Sequence, residues 1–264
     1  IVVTKYGKEE FNFNEAGFLE KSVTRFSEND YSVTHYKLKG DVLLEKRYEN
    51  YIGGEFDKGT SLAHIFTIDS SKNKIVTENI LTYTKKFLDQ YVYTYNEKNQ
   101  LISIKRTNDE NISNTKITYI EKDGELTQTN SLENIPQQTI RTSTKVEDGE
   151  QMHVTLIKKL YKGDAREAIE TVKDSSGRLI KKRFFVLNPD AKGLALKKSE
   201  IYSYADSTGV IDKIVCKTDK TSFEKTYIHQ FDGENGNWIK QIVSPDNTYT
   251  TRKISYYIEP KQEE

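Results

Sequence analysis

The chain contains a single cysteine, Cys216, and therefore cannot form an intrachain disulfide. Cys216 follows the apolar pair Ile214-Val215, a pattern that predicts a buried thiol. Proline is also scarce, with four residues in 264. No apolar run approaches the ~20 residues that a membrane helix requires, so we predict no transmembrane helix.

Net charge is absent as well, because 40 acidic residues balance 40 basic ones. This balance argues against a whole-molecule electrostatic attraction to nucleic acid or to an anionic membrane. The four histidines are too far apart in sequence for the usual ligand spacing of zinc sites; they are His35, His64, His153 and His229. We therefore predict no metal, no cofactor, and a protein or glycan partner in preference to nucleic acid.

Aromatic residues are plentiful in spite of the low apolar content of 35%: there are 17 tyrosines and 11 phenylalanines. Disordered chains combine low hydrophobicity with high net charge and few aromatics, a combination that this chain does not show. Tyr, Phe, Val, Ile and Thr suit the pleated, half-buried surface of a sheet. The composition predicts a folded all-β protein with a large ratio of surface to core.

A repeated segment pattern supports this prediction. An aromatic or apolar run leads to Asn or Asp, then small polar residues, then Gly or Asn, and then a second apolar run. Type I turns favour Asp, Asn or Ser at the first position, and a following left-handed residue makes a three-residue hairpin loop with a bulge. The best matches are Asn14–Gly17, Asn96–Asn99, Asp174–Gly177 and Asp206–Gly209, followed by Ser70–Asn73 and Asp232–Gly236.

The predicted turn residues recur at intervals of 23 to 33 residues, which suits two strands and two turns per interval. They are Gly17, Gly40, Asn73, Asn99, Gly124, Gly149, Gly177, Gly209 and Gly236. We predict an antiparallel meander of about nine consecutive hairpins that forms one long twisted, curved or spiralling sheet. Residues 1–264 would form one repetitive β domain. A subdomain seam, if present, would fall near residues 130–140, where Pro136 lies in a polar stretch.

The pattern aromatic–x–aromatic–(Asp/Asn)–x–x–Gly–x–(Leu/Ile/Trp) resembles the YD repeats of the Rhs family. The Tyr-Asp pair itself is represented by Phe13-Asn14, Tyr95-Asn96 and Phe231-Asp232. The segment around Trp238 is similar to stand-alone YD-like proteins of Bacteroidetes-type bacteria. That resemblance implies an extended sheet and export to the periplasm or cell surface, and it is compatible with a lipid anchor upstream of Ile1.

Candidate binding residues are the aromatic side chains, because rigid aromatic platforms recognise sugars and peptides at a small entropic cost. The tyrosine run Tyr91, Tyr93 and Tyr95 and the single tryptophan, Trp238, are the candidates, although strand packing alone would also explain the tyrosines. The favoured hypothesis is a non-enzymatic exported protein that presents a β surface to a protein or glycan. The alternatives are a carbohydrate hydrolase with scattered catalytic carboxylates and a scaffold or immunity component of a toxin system.

Overall fold

The computed structural model describes residues 2–4, 7–188, 193–233 and 236–256. The described chain is all-β. Its strands are β1 Val2–Thr4, β2 Gly7–Phe13, β3 Leu19–Arg25, β4 Tyr31–Lys39, β5 Val42–Ile52, β6 Glu55–Asp69, β7 Lys74–Thr82, β8 Phe87–Tyr95, β9 Leu101–Asn108, β10 Ile112–Lys122, β11 Glu125–Leu132, β12 Ile135–Glu147, β13 Glu150–Tyr161, β14 Asp164–Lys173, β15 Leu179–Asn188, β16 Gly193–Tyr204, β17 Ile211–Thr218, β18 Ser222–Phe231, β19 Trp238–Ser244 and β20 Thr248–Arg252. Within these ranges no helix has the length and apolar character to cross a membrane.

The strands form one antiparallel sheet in which each strand pairs with its neighbours in sequence, from β1 to β20. The short strand β1 pairs both with β2 and with β20. Its contact with β20 consists of the pairs Val2↔Arg252 and Val3↔Thr251. The two ends of the meander therefore meet, an arrangement that the repeat pattern did not predict.

The nine predicted turn residues all lie at one rim of the sheet, in the turns that follow the even-numbered strands β2 to β18. Each has a positive φ, between 51° at Asn73 and 82° at Gly149. The described sheet exceeds the predicted nine hairpins by two strands, because β1 and β20 flank the hairpins formed by β2 to β19. The turns between successive hairpins lie at the opposite rim. Those turns use other residues, such as Gly53-Gly54, Glu133-Asn134 and Lys162-Gly163.

Local hydrogen bonds explain why Asn or Asp begins the repeated turn. In the first such turn, Gly17 N donates to the Asn14 carbonyl at 2.9 Å, and Phe18 N donates to Asn14 Oδ1 at 2.9 Å. The equivalent side-chain bonds are Gln100 N to Asn96 Oδ1, Arg178 N to Asp174 Oδ1 and Asn237 N to Asp232 Oδ1. A β-bulge follows each of these turns, because the second residue of the next strand is left out of the pairing.

Two parts of the prediction need refinement. The turn expected at Asp206–Gly209 begins one residue earlier, since Gly209 N donates to the Ala205 carbonyl at 2.7 Å. The polar stretch around Pro136 is part of the sheet, because β11 and β12 pair across a two-residue turn there. Residues 234 and 235, within the predicted turn Asp232–Gly236, lie outside the described residues.

Both faces of the sheet carry partly buried side chains. We call them the Val23 face and the Tyr93 face, and the register between strands assigns residues to each. On the Val23 face the buried residues include Val33, Val154 and Val172. On the Tyr93 face they include Ile117 and Cys216, which confirms the buried thiol. The core is therefore a series of small apolar clusters on both faces, as the low apolar content requires.

Candidate functional site

One depression lies on the Val23 face across β2 to β5. Its floor is the directly paired Val23 and Val33, which are 6% and 7% exposed. Both are small side chains between longer neighbours, so the surface dips where they pair. The resulting cavity has a volume of about 380 Å³. We call this depression the Val23 groove.

Aromatic side chains form one wall of the Val23 groove. Tyr31 and Tyr51 are a direct cross-strand pair whose rings stack with centroids 4.5 Å apart and planes 9° apart. Phe56 continues the column at 5.5 Å from Tyr51, and Tyr83 packs on Phe56 at 4.6 Å. The Arg25 guanidinium lies over the other side of Tyr31, 4.7 Å from the ring centroid. Since the Tyr31 and Tyr51 ring faces cover one another, this wall presents ring edges and hydroxyl groups.

A bulge in β6 keeps this wall continuous. Residues 58–61 loop out of the pairing between β5 and β6. Ser61, which is 0% exposed, holds the loop by donating to the Asp57 carbonyl at 2.6 Å and accepting from Asn50 N at 3.0 Å. The register then resumes with Phe56 opposite Tyr51. The bulge therefore places Phe56 on the same face as the tyrosines.

Two carboxylates, Glu10 and Glu49, flank Val23 and Val33 in the same cross-strand row. Each has a cationic or polar partner. Glu10 pairs with Lys8 at 2.9 Å and with Arg25 at 3.2 Å. These contacts, led by the hydrogen bond from Lys8, hold the pKa of Glu10 below its ordinary value. Glu49 Oε2 lies 3.4 Å from His35 Nε2 and accepts a hydrogen bond from the Tyr51 hydroxyl at 3.4 Å. Burial and the nearby Glu49 charge raise the pKa of Tyr51.

The opposite wall is basic and leads into two further depressions. Lys21, His35 and Arg47 form a row directly across β3, β4 and β5. A cavity of about 460 Å³ shares His35 and Glu49 with the Val23 groove. A third cavity, of about 520 Å³, shares Arg47 with that second cavity and extends to β7. Together they make a continuous trough over six strands, a shape that suits a chain-like ligand.

The predicted candidate tyrosines lie elsewhere, on the Tyr93 face. The Tyr93 hydroxyl donates to Glu78 Oε2 at 2.6 Å, and burial followed by that hydrogen bond raises the pKa of Tyr93. The Tyr95 hydroxyl donates to the Ile75 carbonyl at 3.0 Å. Tyr91 lies beside Arg106, whose guanidinium is 5.8 Å from the ring centroid. Their polar groups are thus engaged within the sheet.

Trp238 lies opposite Phe231 on the Tyr93 face. Arg252 lies over its indole ring at 4.3 Å, and His229 packs against it at 5.8 Å. Burial lowers the pKa of His229. Trp238 therefore forms a local cluster at the β18–β20 end of the sheet, separate from the Val23 groove.

Sequence reasoning missed the residues of the Val23 groove. Val23, Tyr31, Glu49 and Tyr51 come from three strands and share no motif, so only the strand register brings them together. A usable signal was the alternation in Tyr31-Ser-Val-Thr-His35, which places Tyr31, Val33 and His35 on one face. Within the described ranges, no three or more His, Cys, Asp or Glu side chains come together as a metal site would require.

No protein-family model and no curated protein matches the chain. Among solved structures, a porin-like protein from Bacteroides uniformis is 10% identical over 96% of this chain and 98% of that one, with a TM-score of 0.38. A chain of the Photorhabdus luminescens Tc holotoxin pore is 8% identical over 89% of this chain, with a TM-score of 0.17. This chain spans 18% of that toxin chain. Similarities of this size transfer no function.

Proposed function

We propose that this chain is an exported, non-enzymatic repeat protein of the YD type that binds a glycan in the Val23 groove. The observation that carries the proposal is the groove itself, which combines a small apolar floor, tyrosine hydroxyl groups and paired charges in one elongated trough. Sugar rings offer C–H patches to apolar surfaces and hydroxyl groups to carboxylates and cations. The export and the YD assignment rest on the repeat pattern.

The position of the groove favours a glycan over an extended peptide. Peptides that bind sheets as added strands use unpaired backbone groups at a sheet edge. The Val23 groove lies on a face, and the backbones of β3 and β4 beneath it pair with their neighbours on both sides. Only side chains face the ligand, and side chains suit sugar hydroxyl groups.

The charges favour binding over hydrolysis. A glycosidase needs two carboxylates about 5–9.5 Å apart, one of them with a raised pKa. Glu10 and Glu49 lie on strands three positions apart, which is about 14 Å at the usual strand spacing. The pKa of Glu10 is lowered, so this carboxyl would be a poor proton donor at neutral pH.

The test is binding to a panel of soluble polysaccharides (dextran, xylan and polygalacturonate) by isothermal titration calorimetry. Tyr31→Phe should weaken binding of any ligand found, because it removes a hydroxyl group from the groove wall while keeping the ring. Tyr161→Phe is the matched control, since Tyr161 is exposed and lies on the Tyr93 face. Equal affinities for the two variants, or no binding to any polysaccharide, would refute the proposal.

A further inference from the structure

The chain has zero net charge, but the two faces of the sheet differ in which of their charged side chains form ion pairs. On the Val23 face from β9 to β19, the register places five acidic residues at paired strand positions, and three of them form ion pairs. Glu125 pairs with Arg141 and Glu170 with Arg183, both at 3.3 Å, while Glu224 pairs with Lys213 at 3.6 Å. Three of the five acidic charges on this part of the face are thus already neutralised, while Glu147 and Glu150 lie opposite one another in β12 and β13.

Lysines remain on the same face without acidic partners among the described residues. The register places these lysines on the Val23 face of β9, β10, β13, β15, β17 and β19: Lys105, Lys116, Lys158, Lys181, Lys217 and Lys240. The Tyr93 face differs, because several of its lysines are neutralised. Lys159 pairs with Glu167 and Lys198 with Glu200, both at 2.5 Å. An excess of positive charge therefore runs along the Val23 face.

This excess shares its face with the Val23 groove. Lys21 already supplies positive charge to the basic wall of the groove, whereas Arg47 in the same row is paired with Glu45 at 2.5 Å. From β6, where the trough runs, to β13, which carries Lys158, the sheet spans seven strand spacings, or about 34 Å along its surface. A ligand that contacts both regions has to be a polymer.

We infer that the ligand of the Val23 groove is an anionic polysaccharide, whose chain continues from the groove across the lysines of the Val23 face. This inference rests on the proposed glycan-binding function and names its substrate class. Lysine is a point charge on a flexible stem, which suits the loosely spaced carboxylates or sulfates of such a polymer. The lysines lie on a broad sheet face, one or two to a strand, and so match a linear array of charges.

The test compares polygalacturonate with its methyl-esterified form, which has the same sugar chain with its carboxylates neutralised. Wild-type protein should bind polygalacturonate more tightly, and the difference should shrink as salt increases. Equal affinity for the two polymers would overturn the inference while leaving glycan binding intact. Absence of binding to either polymer, and to dextran and xylan, would overturn both proposals.

Two triple variants locate the contact. Lys158→Gln, Lys181→Gln and Lys217→Gln together change the Val23 face. Lys159→Gln, Lys173→Gln and Lys182→Gln change the Tyr93 face by the same charge in the same region. The first variant should lose about tenfold in affinity for polygalacturonate, since each exposed ion pair contributes a few-fold at most. The second should bind as the wild type does.

Other outcomes of this test contradict the inference. Equal losses in the two triple variants would show that the attraction does not depend on the face. Binding to phosphatidylglycerol vesicles or to duplex DNA with higher affinity than to polygalacturonate would assign the lysines to another class of partner. Circular dichroism of each variant shows whether a loss of affinity reflects unfolding. In a variant that remains folded, the salt dependence of the remaining affinity is a second measure of the electrostatic contribution.

Discussion

The Tyr204 hydroxyl donates a hydrogen bond to the Leu179 carbonyl at 2.8 Å, which ties one hairpin of the meander to the next. The same contact recurs from Tyr119 to the Leu101 carbonyl at 2.9 Å. In both cases the tyrosine lies in a strand that leads into a turn at one rim. The accepting carbonyl belongs to the first residue of the strand before it, which follows the previous turn at the same rim. Part of the tyrosine content is thus explained by joints between hairpins.

Removing one of these hydroxyl groups should lower stability. Tyr204→Phe leaves the Leu179 carbonyl without its donor, and we expect a loss of about 1 kcal/mol in the free energy of unfolding. Tyr249→Phe is the control, because Tyr249 is 61% exposed. Urea unfolding followed by circular dichroism measures both. A Tyr204→Phe variant as stable as the control would show that the contact does not stabilise the joint.

The turn glycines should resist β-branched replacements. Gly17, Gly177 and Gly209 have φ values of 81°, 81° and 67°, and an added Cβ would meet no atom within 4 Å at any of them. The cost of valine is therefore backbone strain, and we expect each variant to lose more than ~1 kcal/mol.

Gly177→Asn is the matched control for the glycine variants, since asparagine adopts the left-handed conformation more readily than valine. It should lose less stability than Gly177→Val in the same urea titration. Near-neutral effects of valine at all three positions would contradict the assigned turn geometry.

Stability should fall at acid pH through Asp174. Burial alone would raise the pKa of this carboxyl, but hydrogen bonds from Arg178, with Nε at 2.7 Å from Oδ2, lower it below the ordinary 3.8. The folded state therefore favours the charged carboxylate. Its contribution to stability is complete above pH 3.8 and is lost as the pH falls through the lowered pKa.

Asp174→Asn removes this titration while retaining an acceptor for the turn. The difference in unfolding free energy between wild type and variant should therefore decrease as the pH falls below 3.8. Urea titrations at a series of pH values measure it. A difference that stays constant, or grows, at acid pH would contradict the assigned role of Asp174.

The stacked pair in the groove wall should be energetically coupled. A double-mutant cycle on Tyr31→Ala and Tyr51→Ala should give a coupling of about 1 kcal/mol, because aromatic pairs contribute about that much beyond their buried area. A second cycle that combines Tyr31→Ala with Tyr249→Ala, at an exposed tyrosine, is the control and should show no coupling. Zero coupling between Tyr31 and Tyr51 would mean that the column is not a packed unit.

The sequence predicts the turns at one rim better than those at the other, for a physical reason. Turns such as Asn14–Gly17 need a left-handed residue and a side-chain acceptor, and these requirements restrict the residue types. At the other rim, Thr82 and Thr218 cap their turns through hydroxyl oxygens that accept from Lys86 N and Thr221 N. Threonine is also a common strand residue, so these turns carry no distinctive pattern.

The groove and the contact between β1 and β20 could not be predicted in the same way. The Val23 groove depends on which residues of adjacent strands lie opposite one another, and each β-bulge shifts that register. The bulge at residues 58–61 decides whether Phe56 packs on Tyr51, and the sequence marks it by a single serine, Ser61, which the structure buries. The β1–β20 contact joins residues 250 positions apart, for which the repeat gives no information.

The central claim is that a glycan occupies the Val23 groove. Methyl NMR of protein labelled at valine tests it directly, because the Val23 and Val33 methyl groups form the groove floor. Titration with polygalacturonate should shift these two resonances most, while Val154 and Val172, buried in another cluster of the same face, should shift less. Saturating shifts confined to valines outside the groove, with Val23 and Val33 unchanged, would contradict the account.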